Sequence, residues 1–209
     1  RSRVRVLGGE PCLHDDVLAI LRVLVERLGI QGTLIELATN GFGPRVDRVL
    51  ADLPSGVDVD NSHKTGPQND LLRPFNSAPV DHWFHRRAAS YSNGCQIAEI
   101  CGMGLTPFGY YFCAVAGGID RVAGFGLGRH RLPDDDDDML DQAERFCGLC
   151  GRFLDGHFIP HNLRKPLRGE VMTPMWRRLY AEFAKHPPRL SRYGEEPGAP
   201  EPSARGCAG

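Results

Sequence analysis

Five of the chain's seven cysteines fall within 56 residues, at Cys95, Cys101, Cys113, Cys147 and Cys150. A lone buried cysteine behaves as a small hydrophobe, but cysteines at this density supply the soft thiolate donors that iron–sulfur clusters and zinc take. In Cys147-x2-Cys150 the spacing lets a tight turn bring two thiolates to one metal or cluster. Cys95 and Cys113 flank a Gly-rich, hairpin-like stretch and complete a set of four, the number a cubane cluster requires, with Cys101 as a competing ligand. Zinc is the rival occupant, because His157-x3-His161 follows the close pair, although the intervening gap of six residues is short for a zinc finger. An odd cysteine count at uneven spacing argues against a secreted disulfide framework.

A second group of polar residues sits where predicted strands end. Gly8-Gly9-Glu10-Pro11 follows Val4-Arg5-Val6-Leu7, and its glycines permit close approach of backbone to a ligand while Glu10 accepts hydrogen bonds. Thr39-Asn40-Gly41 and Asp60-Asn61-Ser62-His63-Lys64 close the next two strands. Other chemistry-bearing residues carry less. Asp81 and His82-x2-His85 fall in an irregular stretch and read as surface residues, and Ser62, His63 and Lys64 lack a motif for nucleophilic catalysis. The run Asp134 to Asp138 lacks the Gly and Glu spacing of a calcium loop and reads as a solvated turn leading a helix. Cys12 reads as packing, and Cys207 lies in a tail that takes no part.

The elements that must position these residues alternate. A strand at Val4 to Leu7, a helix opened by Asp15 and Asp16 with Val17, Leu18, Leu21, Leu24, Val25 and Leu28 on one face, and a strand at Thr33 to Ala38 make the first unit. A helix carrying Val46, Val49, Leu50 and Leu53 and a strand at Val57 to Val59 complete a βαβαβ run. Right-handed crossovers then imply a parallel sheet, with function at the strands' C-terminal ends. Residues 61 to 90 are irregular and Pro-rich, which predicts a functional or connecting loop. Trp176, Leu179, Tyr180 and Phe183 form a helical packing stripe after Thr173-Pro174, and from His186 onward the composition predicts disorder.

Composition narrows the functional classes. Among 209 residues, 25 basic and 26 acidic side chains give a net charge of -1, so no general field draws the chain to nucleic acid or an anionic membrane. The longest apolar runs are well short of a membrane span, and the expectation is a cytoplasmic protein.

Taken in order, the Gly-Gly-Glu-Pro strand end at Gly8 to Pro11 and the Thr-Asn-Gly turn at Thr39 to Gly41 resemble the radical S-adenosylmethionine (radical SAM) enzymes. The resemblance implies an α/β fold, a partial (β/α) barrel of the radical SAM type with a small C-terminal cysteine-rich domain binding an auxiliary cluster. It implies that Gly8, Gly9 and Glu10 meet the methionine amino group of S-adenosyl-L-methionine, with Pro11, Thr39, Asn40, Asn61 and Ser62 completing that edge. Cys95, Cys113, Cys147 and Cys150 would be ligands of an auxiliary [4Fe–4S] cluster of the SPASM type, in its shorter twitch form. The expected domains are 1–90 for the partial barrel, 91–155 for the auxiliary domain, 156–186 for a helical segment and 187–209 for a disordered tail. The activity implied is reductive cleavage of S-adenosylmethionine to a 5′-deoxyadenosyl radical, which abstracts hydrogen from a small-molecule or peptide substrate. An electron donor such as a flavodoxin or ferredoxin is the implied partner. The family's Cys-x3-Cys-x2-Cys motif does not occur among the 209 residues, and the expectation is that the first strand and its cysteine loop precede this sequence. The alternative, from a different class, is a zinc-stabilised binding module without catalysis.

Overall fold

The computed structural model describes residues 2–63, 75–154 and 172–190. The chain divides into two compact units, Arg1–Asn69 and Asp70–Gly209.

In the first unit, strands β1 (Arg3–Val6), β2 (Leu34–Thr39) and β3 (Val57–Asn61) pair in parallel in the order β1-β2-β3. Their register sets Arg5 opposite Glu36 and Thr39 opposite Asn61. Helices α1 (Val17–Arg27) and α2 (Pro44–Ala51) make the crossovers. Strands that follow one another in sequence across the sheet are how a (β/α) barrel winds, whereas a doubly wound sheet reverses direction at its centre. Among the described residues the sheet has three strands and stays open. The period-2 pattern of β2 sends Ile35, Leu37 and Thr39 into the core, where Val17 and Leu21 of α1 and Val46 and Val49 of α2 cover them. On the opposite face charges cross all three strands, as Arg5 pairs with Glu36 and, at 2.7 Å, with Asp60.

The second unit is built around a β4 (Gly104–Thr106) and β5 (Gly109–Tyr111) hairpin, extended by a bridge from Tyr110 to Arg129. Around it lie α3 (Trp83–Ala88), α4 (Gln96–Cys101), α5 (Ala116–Ala123), α6 (Leu140–Cys147), α7 (Gly151–Leu154) and α8 (Pro174–Lys185). Tyr111, Ile119, Phe146 and Trp176, each no more than 1% exposed, form its core. Residues from 75 onward belong to this unit, so the division falls before Asp70 rather than at residue 90. The cause is long-range backbone pairing: Val80 N–H donates to Gly148 O, Gly151 N–H to Phe75 O and Thr173 N–H to Asn76 O. The expected helical segment after 156 likewise belongs to the unit through α8, whose Trp176 is fully buried. Among the described residues no helix is long and apolar enough to cross a membrane.

The hairpin and α5 meet at Gly117, where a Cβ would stand 2.5 Å from Thr106 Cγ2 and 3.0 Å from the Tyr111 ring; at Gly118 it would meet nothing within 4 Å. Gly117→Ala is therefore expected to destabilise the unit by about 1–3 kcal/mol through overpacking. Gly118→Ala is expected to be neutral or to stabilise by up to about 1 kcal/mol through helix propensity. Urea unfolding of the two variants measures the difference, and equal midpoints would contradict the packing at Gly117.

Candidate metal centre and strand-end edge

Cys95, Cys113, Cys147 and Cys150 line a single cavity. Each arrives by a different local device. Cys95 is the extended residue that caps α4, Cys113 follows β5, Cys147 ends α6, and Cys150 sits on the turn into α7, its N–H donating to Cys147 O at 3.2 Å. Apolar side chains, among them Ala98, Phe112, Val115, Ile119, Phe146 and Phe153, make up most of the remaining wall. About 10 Å³ stays free, the room of roughly one water, so side chains rather than solvent fill the centre.

Burial pushes the Cys113 thiol up to about 11 and the Cys150 thiol up to about 12. It also carries Cys147 far above the ordinary thiol range, and the neighbouring Cys113, Cys150 and Cys95 raise it further. Backbone N–H groups of Val115 and Ala116 point at the Cys113 sulfur, and that of Arg152 at the Cys150 sulfur, each favouring the thiolate. Uncharged, the thiols pack as hydrophobes; ionised together they would repel, unless a cationic occupant offset the charge. Among the described residues no group of three or more His, Cys, Asp or Glu is arranged to hold a metal ion. A single zinc needs its donors about 2.3 Å from one point, whereas a cubane takes one thiolate at each of its separate irons. Four thiols in the lining of one cavity are the kind and number of donor that the second arrangement takes.

Cys101 does not line the cavity, although it lies within electrostatic reach of Cys113. It ends the same helix that Cys95 caps. Six residues of helix turn it to another face and carry it about 9 Å along the axis.

Two buried polar side chains, which sequence reasoning missed, brace this unit. Gln142, 0% exposed, accepts from Phe112 N–H at 2.9 Å and donates to Leu127 O at 2.7 Å and Tyr110 O at 3.3 Å, which ties α6 to the chain beside Cys113. Asp120, also 0% exposed, accepts from the N–H groups of Phe125, Gly126 and Leu127 and from the Tyr111 hydroxyl, at 2.9–3.0 Å. Burial and the facing Asp120 carboxylate push the Tyr111 phenol well above its usual range. Neither residue belongs to a motif; the one available signal was the glycine-rich run Gly124 to Gly128, whose backbone N–H groups need an acceptor.

In the first unit the predicted turns touch. Glu10 Oε1 accepts from Thr39 Oγ1 at 2.8 Å and from Cys12 N–H at 3.2 Å, and Oε2 accepts from Asn40 N–H at 2.8 Å. Ser62 donates from both N–H and Oγ to Thr39 O, and Asn61 packs against Gly41, where a Cβ would lie 2.1 Å from Asn61 Oδ1. Pro11 and Thr39 are buried, so their part is to position the edge rather than to touch a ligand. Gly8 and Gly9 are exposed and face open space. The Glu10 carboxylate thus has a joining role that the sequence did not disclose. Partial burial alone would raise its pKa, yet the hydrogen bonds from Asn40, Thr39 and Cys12 outweigh that and leave it below the usual carboxylate value. The stability it contributes is complete above the ordinary Glu range and is lost as pH falls through the lowered value. Glu10→Gln is expected to cost about 1–2 kcal/mol at neutral pH. It should also flatten the acid limb of the stability curve; an unchanged acid limb in urea titrations from pH 6 to 3 would contradict this.

Cys12 is fully buried packing, as read from the sequence. The Asp run leads α6: Asp138 accepts from Leu140 N–H and Asp137 from Met139 N–H, while Arg129 spans Asp137 and Asp141. Asp81 accepts from Met175 N–H at the start of α8, and the His85 ring packs between Phe84 and Phe153. These groups form structure rather than an acid–base cluster. Lys64, His157, His161 and Cys207 lie outside the described residues.

Comparison of the chain with models of protein families, with curated proteins and with solved structures finds no match.

Proposed function

We propose that this chain is part of a radical SAM enzyme, in which Cys95, Cys113, Cys147 and Cys150 hold an auxiliary [4Fe–4S] cluster and the strand-end edge of the first unit takes S-adenosyl-L-methionine. The observation that carries the reading is the meeting of four cysteines, dispersed over 56 residues, in the lining of one cavity. The two signature turns support it independently, because Glu10 binds the Thr39-Asn40 turn directly.

When bound, these groups supply one-electron chemistry and radical hydrogen abstraction from an organic substrate. The chain's own residues do the remaining work. Glu10 holds the first two strand ends together, Gly8 and Gly9 leave backbone open to a ligand's polar atoms, and Asn61 packs against Gly41 at the next strand end. Around the thiols, Phe112, Phe146 and Phe153 keep water from the cavity. With all four ligands supplied by the protein, the auxiliary cluster has an electron-transfer role, fed by a flavodoxin- or ferredoxin-like donor. The substrate is a small molecule or a peptide. Six unpaired thiols among the described residues suit a reducing, cytoplasmic setting.

The test is analysis of iron, sulfide and zinc after anaerobic reconstitution of the chain. About four irons and four sulfides per chain, with broad visible absorption, are expected. One zinc and no sulfide would replace the reading with that of a zinc-stabilised binding module.

A further inference from the structure

Helix α3 presents to solvent the two large aromatic side chains at its start, Trp83 at 66% and Phe84 at 63% exposure. One exposed apolar side chain is ordinary, but two neighbouring rings bordered by charge of a single sign mark an interaction surface. The charge comes from Arg86 and Arg87, both exposed, with the Arg87 guanidinium 5.5 Å over the Trp83 ring. The helix carries no acidic residue, and Asp81 just before it accepts from Met175 N–H at 2.9 Å and so faces α8. The inner side of α3 leads to the thiols. His85 packs edge-on against Phe84, ring centroids 5.7 Å apart, and against Phe153 at 6.1 Å, and Phe153 lines the cysteine cavity. A run of touching rings thus joins the exposed aromatics to the wall around Cys95, Cys113, Cys147 and Cys150.

Resting on the cluster reading above, we infer that the outer face of α3 is where the electron donor docks, and that this donor is a small protein with an acidic face. Trp83 and Phe84 supply the apolar contact, while Arg86 and Arg87 steer the acidic partner and fix its orientation. Complexes of electron carriers are small and transient, so two rings and two guanidiniums on one short helix are footprint enough for their centre. In the step itself the reduced carrier gives one electron to the oxidised cluster. The carrier is oxidised, the cluster is reduced, and no bond is made or broken.

The probe is a purified acidic flavodoxin, and its binding to the metal-free chain is measured by titration calorimetry at low and at high salt. The double variant Arg86→Glu, Arg87→Glu is expected to bind about tenfold or more weakly at low salt and to lose most of the salt dependence. Trp83→Ser is expected to weaken binding by about threefold or more at either salt concentration. Arg121→Glu, at an exposed position on α5, is expected to stay within about twofold of wild type. With the reconstituted chain, the rate of reduction by reduced flavodoxin should fall in the same order. Dithionite, which needs no docking, should reduce every variant within about threefold of wild type. Gln at both arginines gives the same reading if the Glu pair fails to fold. Equal affinity of wild type and the double variant overturns the inference and leaves the cluster reading standing. Weaker binding with no change in the rate of reduction by flavodoxin also overturns it. Binding through α3 by a chain that takes up no iron and sulfide overturns the cluster reading, and the electron-transfer role with it.

Discussion

Single replacements of Cys113, Cys147 and Cys150 by Ala, and of Cys95 by Ala, are each expected to cut iron and sulfide uptake of the reconstituted chain by about tenfold or more. The same change at Cys101 or Cys12 is expected to leave uptake near that of wild type. The separation follows from position, since the first four line one cavity whereas Cys101 does not and Cys12 belongs to the other unit. Without metal these thiols act as small apolar side chains, so removing one sulfur atom costs the fold about 1 kcal/mol. Far-UV circular dichroism of the metal-free variants should therefore match wild type, and lost uptake then reports a lost ligand rather than a lost fold. Uptake that falls as far in Cys101→Ala as in Cys113→Ala would show that the ligand set has been drawn wrongly.

Asp120→Ala is expected to cost about 3–5 kcal/mol. The carboxylate accepts from three backbone N–H groups, those of Phe125, Gly126 and Leu127, and also from the Tyr111 hydroxyl. Alanine leaves those donors without their acceptor beside a cavity of about 250 Å³ that Asp120 lines, where water replaces only part of what the fixed carboxylate supplies. Tyr111→Phe removes one of the four hydrogen bonds and keeps the ring, and is expected to cost about 1 kcal/mol. Urea unfolding followed by tryptophan fluorescence reads both, since Trp176 sits in the core of the same unit. A cost below about 1 kcal/mol for Asp120→Ala would mean that the loop finds other acceptors.

Local pattern carried the parts of this structure that sequence could reveal. The alternation of Ile35, Leu37 and Thr39 and the helical spacing of Val17 and Leu21 announce β2 and α1, because each period is set within a few residues. The cysteine quartet was legible from density, and the fold brings it to one cavity although no spacing rule joins Cys95 to Cys147. What stayed hidden depends on partners distant in the chain. The division between units falls near residue 69 because Phe75 and Val80 pair with Gly151 and Gly148, and those backbone bonds leave no trace in composition. Pro11 and Thr39 belong to the signature turns yet are buried, which motif position cannot tell. The role of Asp120 stayed hidden, since its donors become visible only when the glycine-rich loop folds back over it.

The Trp176 indole donates its N–H at 2.6 Å to Leu149 O, the carbonyl between Cys147 and Cys150. A helix that contributes no thiol therefore fixes the turn that presents two of them. During synthesis all four cysteines leave the ribosome before Trp176 does, so the nascent chain exposes its thiols while that turn is still unbraced. The turn takes its braced shape only once the chain through Lys185, the end of α8, is available to fold. Until then the same thiols are open to oxidation and to capture of stray metal.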